Sequence, residues 1–411
     1  MPRLSLRGQR LVDKPTLAPY VAEHFSRMPT LWHPQERPNG YIPLCVAENK
    51  LDAARLVRQL DAYRPGPEVL GYDDMLGNWT FRERLARFLG ARVFGRVFPI
   101  EQLAVLAGAG TVLEQLYYAI ADPGDGVLVP TPSYSGFWPD LETRDGLTIV
   151  PVPLRADDGF ELTTRALDAA LDAAEVPVRS LLFTNPNNPL ACVYPESKVR
   201  EIIDWSRARG LHLVADEVYA LSTFDGSDFP SVARVCKEFG DDVHVLWAFS
   251  KDFGASGLRC GLLASENQAV MQAVNSLAYW SAVSGHTQSL LSELIADEVV
   301  VDAYLEDTRA SLRDAYGRVR RGLDSLGVPY APASAAFFVF CDFRSFLEGP
   351  SWEDEGRLWR RMLDEAGVNL TPGSACRAPE PGFFRLCYAG VEPRALDEAF
   401  ARLQRVLSRP A

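Results

Sequence analysis

Residues 211–219 read Leu-His-Leu-Val-Ala-Asp-Glu-Val-Tyr. The run Leu211–Ala215 is apolar at all but His212, rather than at alternate positions only. That pattern belongs to a strand covered on both faces. The run closes on Asp216, and a carboxylate ending an apolar strand is costly to bury unless it meets a cation or caps a helix. Six further runs of this kind occur: Leu103–Leu106, Gly126–Pro130, Leu147–Val152, Ser180–Thr184, His244–Trp247 and Gly261–Ala264. Segments with helical spacing separate them. Short buried strands alternating with helices predict an α/β fold with a mostly parallel central sheet.

Outward from this block, 51–63 reads as a helix with Leu51, Leu56 and Leu60 along one face, and Asn78–Leu89 as another. Residues 1–50 are rich in proline and polar groups and read as an irregular arm, with turns at Pro34, Pro38, Asn39 and Gly40. Residues 51–285 form the expected large domain. Residues 286–411 hold long helical patterns and then strands at Ala336–Cys341 and Phe384–Tyr388, a smaller α+β domain against which the arm is expected to pack.

Hydrophobic residues make up 47% of the 411, enough to fill cores of this extent. The net charge is −12 and no Lys/Arg cluster stands out, so neither nucleic acid nor an anionic membrane surface is an expected partner. Seven cysteines without a Cys-x-x-Cys spacing read as reduced thiols in a cytoplasm. Five scattered histidines predict no metal site. The basic start Met1–Arg10 lacks the apolar run of a signal peptide, and no apolar stretch is long enough for a membrane span.

Four short segments lie at strand ends, where open α/β sheets collect their ligands. Ala107-Gly108-Ala109-Gly110-Thr111 joins a strand to the helix expected over Val112–Ile120, a turn suited to an anion at free N–H groups. Thr184-Asn185-Pro186-Asn187-Asn188-Pro189 is a polar loop, and Asp216-Glu217-Val218-Tyr219 closes its strand. Ser250-Lys251-Asp252-Phe253-Gly254 follows another strand, with Arg259 eight positions after the lysine. Taken singly, each is ordinary turn chemistry. Taken in order, they supply what pyridoxal 5′-phosphate (PLP) requires: a phosphate cradle, a carboxylate for the ring nitrogen and an amine for the aldehyde.

The chain resembles fold-type I, class I/II PLP-dependent transferases over nearly its whole length, and within them the 1-aminocyclopropane-1-carboxylate (ACC) synthases. Besides those four segments, the resemblance rests on Pro38-Asn39-Gly40, Ala47-Glu48-Asn49, residues 130–137 (Pro-Thr-Pro-Ser-Tyr-Ser-Gly-Phe) and Pro381-Gly382-Phe383-Phe384-Arg385. It implies that Lys251 joins the cofactor as a Schiff base and moves the α-proton, and that Asp216 pairs the ring nitrogen. Asn188 and Tyr219 would bond the ring hydroxylate, and Tyr134 would stack on the ring. Ser250, Arg259 and the backbone of Ala109 and Gly110 would hold the phosphate. Arg385 would take the substrate carboxylate, with Tyr20 and Glu48 near the substrate. It also implies a homodimer.

The chain departs from the family at three positions. Met75 stands where the family places a tyrosine that reaches the partner subunit's phosphate, and Tyr72 is the expected substitute. Ala248 replaces a phosphate-binding serine, and Lys50 follows Ala-Glu-Asn where the family has Gln. The small-molecule substrate implied is S-adenosylmethionine. Removal of its α-proton and loss of methylthioadenosine give ACC, or a vinylglycine-type intermediate that an acceptor captures. Ring-forming annulation onto another molecule, such as a nicotinamide nucleotide, is one alternative. A plain aminotransferase working on an amino acid and a 2-oxo acid is another. A PLP-fold regulator without turnover is disfavoured, because every catalytic group is present and no helix-turn-helix is visible.

Overall fold

The computed structural model describes residues 3–13, 15–226 and 228–408. The first two residues of the basic start and the last three of the 286–411 segment lie outside them. Eleven strands occur among the described residues: β1 (Ile42–Leu44), β2 (Leu103–Leu106), β3 (Gly126–Thr131), β4 (Thr148–Pro153), β5 (Val178–Thr184), β6 (His212–Asp216), β7 (Val243–Ala248), β8 (Gly261–Ser265), β9 (Phe338–Asp342), β10 (Val368–Pro372) and β11 (Phe383–Cys387). Seven form one sheet in the order β2-β8-β7-β6-β5-β3-β4. All its neighbours pair in parallel except β8, which runs antiparallel to both β2 and β7.

The continuous apolar runs have a direct cause. Alternate residues of one strand enter different cores: Leu213 and Ala215 join one apolar cluster, while Val214 joins another. A strand sandwiched in this way carries few polar positions, and those present find partners inside: Ser180 Oγ donates to Tyr117 Oη, and His244 Nδ1 meets Ser265 Oγ. The helix Trp79–Leu89 starts where the sequence suggests, with the Asn78 side chain accepting from Phe81 N. The expected helix at 51–63 is shorter, Ala53–Asp61. No helix of the described residues is long and apolar enough to cross a membrane.

The second sheet has the order β1-β10-β11-β9. β1 pairs in parallel with β10, Ile42 opposite Val368, which joins the N-terminal segment to the C-terminal one. Here the reading of 1–50 as irregular needs correction. The segment contains the helices Leu6–Asp13 and Pro19–Arg27 as well as β1. Prolines at positions 19 and 43 concealed the second helix and β1. Pro19 sits in the first turn of its helix, where its missing N–H costs nothing, and Pro43 lies on an edge strand.

Candidate active site

The carboxyl ends of β6 and β7 converge with the start of the helix Ala109–Ile120. Asp216 is the last residue of β6 and is buried, its Oδ1 accepting from Val218 N at 3.2 Å. Burial pushes its carboxyl up to about 7, against the pull of the Lys251 ammonium. No helix begins at this point, so capping does not explain the carboxylate. Its neighbour Glu217 is consumed structurally, accepting from Ser231 Oγ and Val232 N, each at 2.6 Å.

Lys251 lies in the short helix Phe249–Asp252 directly after β7. Its Nζ donates to Ala47 O at 2.7 Å. Burial first, and the Arg385 guanidinium second, lower its ammonium to about 8, within reach of the neutral, nucleophilic amine near physiological pH. The next residue, Asp252, is fully occupied by Ser222 Oγ, Leu221 N and Trp247 Nε1, and anchors the lysine's helix.

Ala109 and Gly110 open their helix, so their N–H groups have no intrahelical acceptor. Gly108 precedes them at φ +97°, and a Cβ there would strike the Arg259 guanidinium. A Cβ on Gly261, where β8 begins, would come within 2.7 Å of Gly108 C. The two glycines therefore let the anion turn, the start of β8 and Arg259 close on one another. Arg259, itself at φ +48°, is held by Ser256 O at 3.1 Å and Ala107 O at 3.4 Å. Ser250 is buried, two residues after the end of β7 and directly before Lys251.

Arg385 on β11 is 2% exposed. Its Nη1 donates to Asn188 Oδ1 at 2.9 Å, and its Nη2 to Cys45 O at 3.1 Å and Thr371 Oγ1 at 3.2 Å. Its Nε has no partner, and among the described residues no carboxylate lies within salt-bridge distance of it. A buried guanidinium supplied only with neutral acceptors is a site for an anion. Asn188 Nδ2 reaches Tyr219 Oη at 3.5 Å, and burial holds that phenol well above its ordinary range.

Tyr134 is 37% exposed and makes an edge contact with Phe137, leaving ring surface open. Tyr20 is buried and shares a 2.9 Å hydrogen bond with Ser135 Oγ. Glu48 follows the carbonyl that holds Lys251 and pairs with Lys50 at 2.6 Å. Tyr72, by contrast, is 99% exposed and touches nothing in this group. Sequence reasoning missed the main-chain acceptors of Cys45 and Ala47 and the hydroxyl of Thr371. Backbone carbonyls carry no residue signature, and Thr371 belongs to a strand the sequence did not reveal.

The residues fit a phosphorylated pyridine aldehyde. Among the described residues the buried Asp216 carboxylate has no ion-pair partner, helix-start N–H groups face a guanidinium across a cradle that side chains would fill, and a lysine has a depressed pKa. Comparison with known proteins agrees. The family model "Aminotransferase class I and II" matches residues 39–403. The Arabidopsis thaliana protein 1-aminocyclopropane-1-carboxylate synthase 6 is 33% identical over 393 residues, covering 91% of this chain and 79% of its own length. Synthase 5 of Oryza sativa subsp. japonica is 34% identical over 417 residues, covering 95% and 78%. Among solved structures, the aspartate aminotransferase of Thermus thermophilus with maleate superposes with a TM-score of 0.82 at 25% identity, covering 99% of this chain and all of that one. The chain belongs to the class I and II aminotransferases, a family of fold-type I PLP-dependent enzymes, and within that family it is close to the ACC synthases.

Proposed function

We propose that this enzyme binds S-adenosylmethionine, removes its α-proton and releases methylthioadenosine from the γ-carbon, giving ACC or a product captured by an acceptor. The observation that carries the reading is the wall built by residues 45–50. Ala47 O holds Lys251 Nζ, Cys45 O holds Arg385, and Glu48 directly follows Ala47 in the chain. Curated relatives at 33–34% identity over more than nine-tenths of the chain bear the ACC synthase name.

The PLP ring, when bound, accepts the electron pair left at Cα. Asp216, buried at its strand end, would stabilise a protonated ring nitrogen. Asn188 and Tyr219 would bond the ring oxygen, and Tyr134 would stack on the ring. Ala109 N, Gly110 N, Ser250 and Arg259 would take the phosphate. Arg385 pairs with the α-carboxylate and fixes which Cα bond faces Lys251, whose amine takes the proton. Tyr20 and Glu48 bound the side occupied by the sulfonium. The sulfonium is what makes Cγ labile, and an ordinary amino acid offers no such leaving group. Annulation onto an acceptor would begin with the same steps.

The working unit in this reading is a cytoplasmic homodimer. Tyr72 and Leu70, 99% and 87% exposed, and Trp280, 77% exposed, are large apolar side chains left uncovered by one copy. Tyr72 would reach the cofactor phosphate of the second copy.

Mixing the enzyme with S-adenosylmethionine, with and without candidate acceptors, and separating the products by mass spectrometry tests the reaction. Methylthioadenosine should appear, and glutamate with 2-oxo acids should turn over slowly. Fast amino exchange without any methylthioadenosine would return the enzyme to the plain aminotransferases.

A further inference from the structure

The segment Cys45–Lys50 is fixed at four points along the site. Cys45 O accepts from Arg385 Nη2, and Ala47 O accepts from Lys251 Nζ at 2.7 Å. Asn49 O lies against Gly254, which sits at φ +61°, so closely that a side chain on Gly254 would strike it. Lys50 N then donates to Ala389 O at 2.8 Å. Glu48 and Lys50 thus extend from a backbone with little freedom to shift. Their side chains meet at 2.6 Å while remaining 37% and 55% exposed.

An ion pair this open adds little to folding stability. Its consequence is local charge. His24, on the helix Pro19–Arg27, also senses both groups, but burial keeps its imidazole below the usual range and so uncharged near neutral pH. The lysine ammonium and the Glu48 carboxylate therefore cancel. Without Lys50, this side of the site would carry an unopposed carboxylate near Lys251, where the charge of Glu48 is already felt.

We propose that Lys50 is a specificity-determining residue: by pairing with Glu48 it removes the negative charge that would otherwise select a cationic substrate, so that the site selects by shape and by the α-carboxylate. The inference rests on the S-adenosylmethionine reading. Positive charge on the substrate's far end then contributes little to binding in the native enzyme and contributes more once Lys50 is neutral. The native site is correspondingly open to co-substrates without positive charge.

The experiment compares S-adenosylmethionine with S-adenosylhomocysteine, which lacks one methyl group and the positive charge. Each is titrated into the PLP-loaded enzyme, wild type and Lys50→Gln, and binding is followed by the change in cofactor absorption. Lys50→Gln should tighten S-adenosylmethionine by roughly three- to tenfold, the size expected of one unpaired charge a few ångströms away in a wet site. S-adenosylhomocysteine should stay nearly unchanged, and the difference should shrink in 0.5 M salt, by about the screening expected at that ionic strength. Equal changes for both ligands, or none for either, would overturn the proposal, and Lys50→Met should repeat the outcome. If wild type responds to neither ligand but does respond to glutamate, the substrate reading fails and this inference falls with it.

Discussion

Arg385 Nη1 donates to Asn188 Oδ1 at 2.9 Å, across 197 positions of sequence. The contact ties the guanidinium proposed for the substrate carboxylate to the amide proposed for the cofactor ring oxygen. Asn188 in turn reaches Tyr219, so substrate and cofactor would share one hydrogen-bonded line.

Arg385→Lys should therefore damage substrate binding more than cofactor binding. An ammonium cannot reproduce a planar two-point grip, nor satisfy Asn188, Cys45 and Thr371 at once. KM should rise by about two powers of ten, the scale of a lost charge-assisted pair of ~3 kcal/mol. PLP should still bind with little change in its spectrum. Loss of PLP as the main defect would assign Arg385 elsewhere.

Lys251 should carry the cofactor. Borohydride treatment of the PLP-loaded enzyme should abolish its visible absorption and leave one modified peptide, containing Lys251. A label on any other lysine would refute the assignment. With the ammonium held down to about 8 by burial, exchange of the substrate α-proton should rise with pH and level off above that value. The sign follows from the base being active only when deprotonated.

Asp216→Asn should act in opposite directions with and without cofactor. In the PLP-loaded enzyme the amide cannot balance a protonated ring nitrogen, and α-proton removal should fall by about a hundredfold or more, ~3 kcal/mol of barrier. In the cofactor-free protein the carboxyl's folded pKa, about 7, lies above the unfolded 3.8. Its contribution to stability is thus fully present below 3.8 and is lost as pH rises through 7. Asp216→Asn should remove that loss and raise cofactor-free stability at pH 8 by about 2–4 kcal/mol, read from denaturant melts. Asp252, also pushed up to about 7, and Glu217, to about 8, keep part of the decline in both proteins.

Gly108→Ala should weaken cofactor binding specifically. The new methyl meets the Arg259 guanidinium, in a conformation of φ +97° that alanine resists. PLP affinity should drop at least about tenfold, taking ~1.4 kcal/mol as the smallest cost of moving Arg259. Equilibrium dialysis of PLP against the variant is the direct measurement. Unchanged affinity would detach this turn from the phosphate.

Most of the large sheet was legible because most of its strands are buried on both faces, which writes them as largely apolar runs: Leu103–Leu106 coincides with β2 residue for residue, whereas the edge strand β4 has exposed positions among its buried ones. β10 was illegible for the opposite reason. Its sequence is Val-Asn-Leu-Thr-Pro, which reads as a turn, yet Asn369 and Thr371 are buried. They are satisfied by partners distant in sequence: Trp359 Nε1 donates to Asn369, Asn369 donates to Tyr20 O and Tyr41 Oη, and Thr371 donates to Cys45 O. No local pattern encodes such bonds. Among site residues, Asp216, Lys251 and Arg259 stood out by their strand-end positions, whereas Arg385, Tyr20 and Glu48 were named through the family resemblance. The charge pairing of Glu48 with Lys50 needed coordinates.

The pairing of Ile42 with Val368 also sets an order of events during synthesis. Strands β2 to β8 contain all the partners they need, so a nascent chain can close the large sheet, together with the lysine and the anion turn, before its last hundred residues emerge from the ribosome. β1 has no such option and must wait for β10, and with it wait Cys45 and Ala47, the carbonyls that hold Arg385 and Lys251. A chain interrupted before Val368 would thus have the groups proposed to grip the coenzyme but not Arg385, proposed for an amino acid's carboxylate. The pairing of the two ends thus leaves the proposed substrate side of the site dependent on the last strands to be made.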